Sequence, residues 1–307
     1  MRGRAPLPAL LIAAAAATVW AVPGSAAVAP AQRPPARAAA PAATSCDPTA
    51  SLRPSGPPRV IPGSFMARIR ARGYLIAGVD QSTYHFGYLN PRNGKIEGFD
   101  IDMVRTVAAA IFGNPDKVQF KAISDAQRIP DVRSGAVDIV AHTMTINCER
   151  LQQVDFSTVY FDTGQRVLVE SNSPARSLAD LGGKRVCATK GSTSIANIMA
   201  APSHPVPVPV PFWTDCLVLL QQGDVAAIST DDSILDGLAA QDPWTKIVGP
   251  RFTTEPYGLA ISKQHPDFVR FVNAVLQRLR ANGQWAASYA HWVGTPVPAP
   301  PPARYQG

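Results

Sequence analysis

The sequence predicts an α/β protein built as two lobes, and two observations carry that prediction. From Gly73 onward, short apolar runs with strand character alternate with segments of helical periodicity, the pattern of a largely parallel sheet covered by helices. The alternation then repeats as a second set further along, and the roughly 230 to 240 residues involved suffice for two lobes of ordinary size.

The first set opens with LIAGV (Leu75 to Val79), a short apolar strand, followed by polar residues and a hairpin turn at Asn93-Gly94. GFDIDMVRTVAAAIFG is predicted helical: Ile101, Val104, Ala108 and Ile111 share one face, and Gly113 is placed to stop it. Its acids, Asp100 and Asp102, fall in the first turn, where the helix dipole favours them. Lys117 to Ile123 reads as a strand, SDAQRIPDVRSG as a short helix interrupted by Pro130, and VDIVAHTMT as a further strand.

The second set runs RVLVE, KRVCAT, a helix from Ser192, VAAIST, a helix from Asp231, and KIVG. Within it, SHPVPVPVPF (Ser203 to Phe212) alternates proline and valine, and the missing N–H groups confine it to an edge strand or an extended connector. The chain then returns to helix in HPDFVRFVNAVLQRLRANGQWAASYAHWVG, with Gly283 dividing it in two. A Pro-rich tail, residues 295–307, is expected to be loose.

The N-terminal end is different in kind. Residues 1–30 set Arg2 and Arg4 before an apolar stretch from Leu7 to Val22 and then small residues, the pattern of a signal peptide for export. Residues 31–62 read as an Ala/Pro-rich linker that is not expected to pack; residues 1 to 45 hold no Asp or Glu. The formal charge of +7 owes four arginines, Arg2, Arg4, Arg33 and Arg37, to residues 1–45, and without them 25 basic residues face 22 acidic ones. With no basic block or helix face, nucleic acid is excluded as a partner. No zinc site is predicted, because CxxC is absent and the five histidines are scattered.

The residues that could carry chemistry lie at strand ends, where α/β proteins place ligand groups. Arg150, in the triplet Cys148-Glu149-Arg150, offers a two-pronged donor for a carboxylate, and Thr145 could add a hydroxyl; the alternative is a surface ion pair with Glu149 or Asp155. Ser192 and Thr193 open a helix beside Lys190, as an anion site or as simple caps. Asp231-Asp232 could cap a helix, hold an ammonium group or act as acid and base. Tyr84, Phe86 and Tyr88 alternate as one face of a hairpin, either core or a ligand wall. Cys148 lacks a base: His142, the nearest candidate, stands about 20 Å away at strand rise.

Four blocks together resemble the family 3 extracellular solute-binding proteins: GFDIDM, VDIVAHTMTINCERLQQVDFSTVYF, GKRVCATKGSTS and VAAISTDDSIL. The likeness spans roughly Arg70 to Gly294, and the lead-in CDPTASLRP brings it nearest to the glutamine-binding members of actinobacteria. It implies a two-lobed Venus flytrap fold of type II with two hinge crossings. Residues 63–162 and 252–294 would form lobe 1, and 163–251 lobe 2. It further implies a monomeric extracytoplasmic receptor that needs no cofactor and captures a polar amino acid for an ABC permease or a membrane sensor protein. A dehydratase-like enzyme on the same fold is the alternative.

By motif, the resemblance assigns the ligand α-carboxylate to Arg150, with Thr145 as helper. The α-amino group goes to the Thr143 carbonyl and Asp231, Ser192 and Thr193 fall in the second-lobe loop that meets the carboxylate and side chain, and Asp80 and Tyr84 fall near the side-chain pocket. His142 and Thr143 replace the more usual Ala-Gly, and Lys190 with Arg166 adds positive charge, which favours aspartate or glutamate over glutamine or asparagine. Cys46 lacks the apolar run of a lipidation site. Four cysteines allow three pairings, and the expected set is Cys187 with Cys216 and Cys46 with Cys148.

Overall fold

Two five-stranded mixed sheets organise the chain in the computed structural model, which describes residues 46–306 together with Trp20. The expected signal peptide, Trp20 apart, and the first part of the expected linker lie outside the described residues.

The first sheet has the order Val118–Ala122, Leu75–Val79, Ile139–Ala141, Ala260–Ile261, Asp155–Phe156. Its first three strands are parallel, and Leu75–Val79, flanked on both sides, is apolar throughout because both of its faces are covered. The helices Phe99–Phe112, Pro266–Ala281 and Gln284–Trp292 close one face, burying Phe99, Val104, Phe268, Val275 and Trp285 in one core.

The second sheet, ordered Val206–Val210, Arg185–Thr189, Ala227–Asp231, Gln165–Glu170, Thr245–Val248, has its own core around Leu168, Ile228, Trp213 and Leu235. The Pro-Val strand takes the edge, where its missing donors cost nothing on the solvent side. Two antiparallel strands, Phe161–Thr163 and Glu255–Tyr257, pair where the chain passes between the sheets. These are the two crossings, and they carry side chains into the space between the lobes.

Three expectations need correction. The tail does not hang loose: Arg304–Tyr305 pairs in parallel with Ala50–Ser51, and Pro301 is buried. Part of the expected linker is likewise tied down, with Ser51 buried. The Ser51 hydroxyl donates to the Phe156 carbonyl (2.6 Å), and the Asn273 amide donates to Ser51 and to the Leu52 carbonyl. Proline-rich composition argues against a core of its own, but these two segments borrow the first lobe's core and each other's backbone. Pro130 does not interrupt a helix either; it sits in the first turn of Arg128–Ser134, where an N–H would lack an intrahelical acceptor.

Candidate functional site

The site on the first lobe begins where Ile139–Ala141 ends. Thr143 adopts φ 42°, a left-handed conformation uncommon for a β-branched residue, and its N–H donates to the Asp100 carboxylate (2.7 Å). Asp100 is buried and also accepts from the Tyr160 hydroxyl (2.5 Å). Burial pushes its pKa up to about 6 against the pull of these two hydrogen bonds. The first-turn acid therefore does more than answer a helix dipole: it holds the strained turn that aims the following loop.

That loop ends in a short helix, Cys148–Leu151, capped by the Asn147 side chain, which accepts from the Arg150 N–H (2.8 Å). Arg150 is buried at 7% exposure, not the surface residue of the alternative reading, and Asp155 pairs with Lys263 instead. Its Nη1 donates to the Thr145 carbonyl (2.7 Å), and its Nη2 crosses to the Gly191 carbonyl of the second lobe (3.2 Å). Among the described residues, no carboxylate lies within 4.0 Å of its guanidinium. Burial, and then the neighbouring Arg128, lower its pKa to about 10.

Asp231 ends the strand Ala227–Asp231 on the second lobe and is 3% exposed. It stands at the cap position of the next helix, but its side chain does not cap: Oδ2 accepts from the Tyr257 hydroxyl (2.6 Å), and buried Oδ1 has no partner. Burial first, then the nearby Glu255 carboxylate, push its pKa up to about 8. Asp232 takes a different task, accepting from Thr163 (2.6 Å) and pairing with Arg251 (2.5 Å).

The structure separates the remaining expected residues. Thr145 and Thr193 come together, both donating to Glu255 Oε2 (2.6 and 2.9 Å). Ser192 serves as a cap, accepting from the Ile195 N–H, while its hydroxyl donates to the Thr189 carbonyl. Lys190 is exposed, and Arg166 donates to the Gly249 carbonyl (2.6 Å), so neither brings its charge into the buried site. The Asp80 carboxylate closes its own turn by accepting from the Gln81 and Ser82 N–H groups and the Ser82 and Thr83 hydroxyls. His142 lies 3.9 Å from both Asp80 and Asp125, with Nε2 on the Ile123 carbonyl. Of the three hairpin aromatics, Phe86 is core, whereas Tyr84 and Tyr88 are half-buried and pack edge to face. The Tyr84 carbonyl lies against Gly237 of the second lobe, where an added Cβ would stand 2.7 Å from it.

Sequence reasoning missed Glu255, Tyr257, Arg128 and Asp125. Arg128 pairs with Asp125 (2.6 Å) and donates to the His142 and Gly191 carbonyls. Asp125 accepts from Thr189 of the second lobe (2.6 Å); burial works to raise its pKa, but Arg128 and His142 hold it below the usual value. The signals existed: an Asp and an Arg three apart on a short helix, and one acid before Pro-Tyr-Gly on a crossing strand.

Disulfides join Cys46 to Cys148 (Cα–Cα 6.1 Å) and Cys187 to Cys216 (5.5 Å). Cys148 is therefore a staple beside Arg150 and not a free thiol. No helix among the described residues is long and apolar enough to cross a membrane.

Comparison with known proteins agrees with this architecture. A glutamine-binding protein of an ABC transporter in Bacillus subtilis, GlnH, is 37% identical over 229 residues, 74% of this chain and 84% of that protein. An L-glutamate/L-aspartate-binding protein of Pseudomonas aeruginosa is 28% identical over 76% of this chain and 81% of its own length. Among solved structures, an ancestral arginine-binding protein bound to glutamine superposes with a TM-score of 0.69 at 34% identity, covering 73% of this chain and 99% of that one. A mutant arginine-binding protein of T. maritima gives 0.71 at 28% identity, covering 75% and 99%. Two sheets on two crossing strands, polar groups from both lobes meeting between them, and a family model matched over residues 75–295 lead to one conclusion: this chain belongs to the bacterial extracellular solute-binding proteins of family 3, extracytoplasmic binding proteins and not enzymes.

Proposed function

We propose that the protein captures a polar amino acid as its zwitterion, with the α-carboxylate on Arg150 and the α-ammonium on Asp231 and the Thr143 carbonyl. One observation carries the reading. The first lobe buries a cation with no carboxylate within 4.0 Å among the described residues, and the second buries a carboxylate whose Oδ1 has no partner. A buried ion without a counter-charge is costly, and a zwitterion between the lobes would answer both at once. Ligand contacts shared between two lobes favour the closed arrangement over an open one.

Asp80, Tyr84 and His142 would line the side-chain pocket, Thr145 and Thr193, joined through Glu255, would bridge the two lobes beside it, and Ser192 would hold the second-lobe loop as a cap. The two cations behind an aspartate or glutamate preference, Lys190 and Arg166, stand outside the buried site, so the ligand class here is polar amino acid. The closed form would deliver its cargo to an ABC permease, as the name of the B. subtilis relative describes for that protein; a membrane sensor protein could read the same form. Since one chain supplies both halves of the site, we take the protein to act as a monomer.

A thermal-shift screen of the twenty amino acids tests this reading. One or a few polar amino acids should raise the melting temperature in a concentration-dependent way; twenty null results at millimolar concentrations contradict it.

A further inference from the structure

We propose that the lead-in from Cys46 to Ser51 splints the helix that carries Arg150, so that opening the Cys46–Cys148 bond weakens ligand binding in a protein that stays folded. The proposal adds a redox dependence to the site and rests on Arg150 as the carboxylate clamp.

The helix Cys148–Leu151 is about one turn long, and Glu149 on it and Gln152 after it are exposed. A first turn fixes several backbone dihedrals for very few hydrogen bonds, so it does not hold itself. The lead-in supplies a tie on either side. Cys46 is bonded to Cys148 ahead of Arg150, and the Ser51 hydroxyl donates to the Phe156 carbonyl (2.6 Å) beyond it. The whole stretch from Cys148 to Phe156 is thus bracketed by one short piece of chain.

A splint needs a fixed far end, and Ser51 provides it. The residue is 5% exposed, and the fully buried Asn273 donates its amide to Ser51 Oγ (2.8 Å) and to the Leu52 carbonyl (2.7 Å). Ala50–Ser51 also pairs with Arg304–Tyr305, and Asp47 forms an ion pair with Arg304 (3.0 Å). At the near end the disulfide is the tie that reaches the helix. Cys46, Cys148 and Ser51 act through Arg150 and are positioning residues.

Accessibility sets the two disulfides apart. Cys46 is exposed and Cys148 half-buried, whereas Cys187 and Cys216 are both 0% exposed in the core of the second lobe. Exchange requires a thiolate to reach a sulfur, so a dithiol in solution opens the first bond ahead of the second. The dithiol gives up two electrons and two protons and closes its own disulfide, leaving Cys46 and Cys148 as two thiols. The lead-in then keeps its Ser51 end and loses the helix. If the freed helix spends about a tenth of its time in the binding arrangement, the apparent affinity falls about tenfold.

Calorimetric titration with each of the twenty amino acids, well below the melting temperature, tests the proposal on the native protein, on the protein treated with dithiothreitol, and on the Cys46→Ser/Cys148→Ser variant. Mass spectrometry of an alkylated aliquot of the treated protein should find Cys46 and Cys148 labelled and the other two cysteines not. The treated protein and the variant should stay folded by circular dichroism and bind the same amino acid about tenfold more weakly, and reoxidation of the treated protein should restore the native Kd. A bond that served stability alone would lower the melting temperature and leave Kd unchanged; that result overturns the proposal. Loss of the folded state in both forms overturns it too, because the bond would then hold the lobe and not the arginine. Labelling of Cys187 or Cys216 ahead of the exposed pair also counts against it. If no amino acid binds the native protein, the zwitterion reading itself falls, whereas native binding with an unchanged Kd after opening the bond removes this proposal alone.

Discussion

The two lobes build their halves of the site by different means. On the first lobe, Arg150 is fixed by several unrelated devices: the left-handed Thr143 turn tied to Asp100 and Tyr160, the Asn147 cap, and the Cys46–Cys148 staple. On the second lobe, Asp231 stands at a plain strand end, and its one side-chain bond comes from Tyr257 on a crossing strand. The backbone that carries Arg150 is fixed within its own lobe, though its Nη2 also reaches the Gly191 carbonyl of the second, whereas the Asp231 side chain is held from the crossing strand.

Substitutions sharpen that contrast, taken from the largest expected effect downward. Arg150→Ala should cost about 2 to 5 kcal/mol of ligand affinity by calorimetry, since it removes a desolvated charge partner; native affinity would contradict its role as the carboxylate clamp. Asp100→Ala should lower the unfolding free energy by about 2 kcal/mol in denaturant and weaken ligand binding as well, because the Thr143 N–H and Tyr160 hydroxyl lose a buried acceptor. A loss of stability without a loss of affinity would separate the turn from the site. Tyr257→Phe should have the smallest effect, about 1 kcal/mol on affinity, and little effect on Arg150.

Asp231 also makes the comparison visible in pH. Its folded pKa, raised to about 8, exceeds the ordinary value of 3.8, so the folded ligand-free protein binds a proton more tightly than the unfolded chain does. That contribution to stability is full below pH 3.8 and is lost as pH rises toward about 8, with Asp100 acting in the same direction up to about 6. Asp231→Asn should flatten the upper part of this decline in melting temperature, between about pH 6 and 8, while abolishing ligand binding. An identical pH profile in the variant would show that Asp231 does not carry the proton.

Much of the fold was legible because it is local. The Leu75–Val79 run, the helical stripe of Phe99–Phe112 stopped at Gly113, and the Pro-Val edge strand all follow from short-range pattern. Arg150 and Asp231 were legible as charges at strand ends within recognisable blocks. Glu255 was not, since its partners, Thr145 and Thr193, are 110 and 62 residues away and meet it only through the crossing strands. For Lys190, sequence gives its charge and its neighbours, but not that its side chain is exposed. The packed tail escaped notice because its acceptors are Ala50 and Ser51, at the other end of the chain.

A crystal structure with the amino acid that gives the largest thermal shift tests the central claim most directly. The account predicts the ligand α-carboxylate within hydrogen-bond distance of the Arg150 guanidinium and the α-ammonium on Asp231 Oδ1. A ligand bound elsewhere, or one whose carboxylate makes no contact with Arg150, would contradict it.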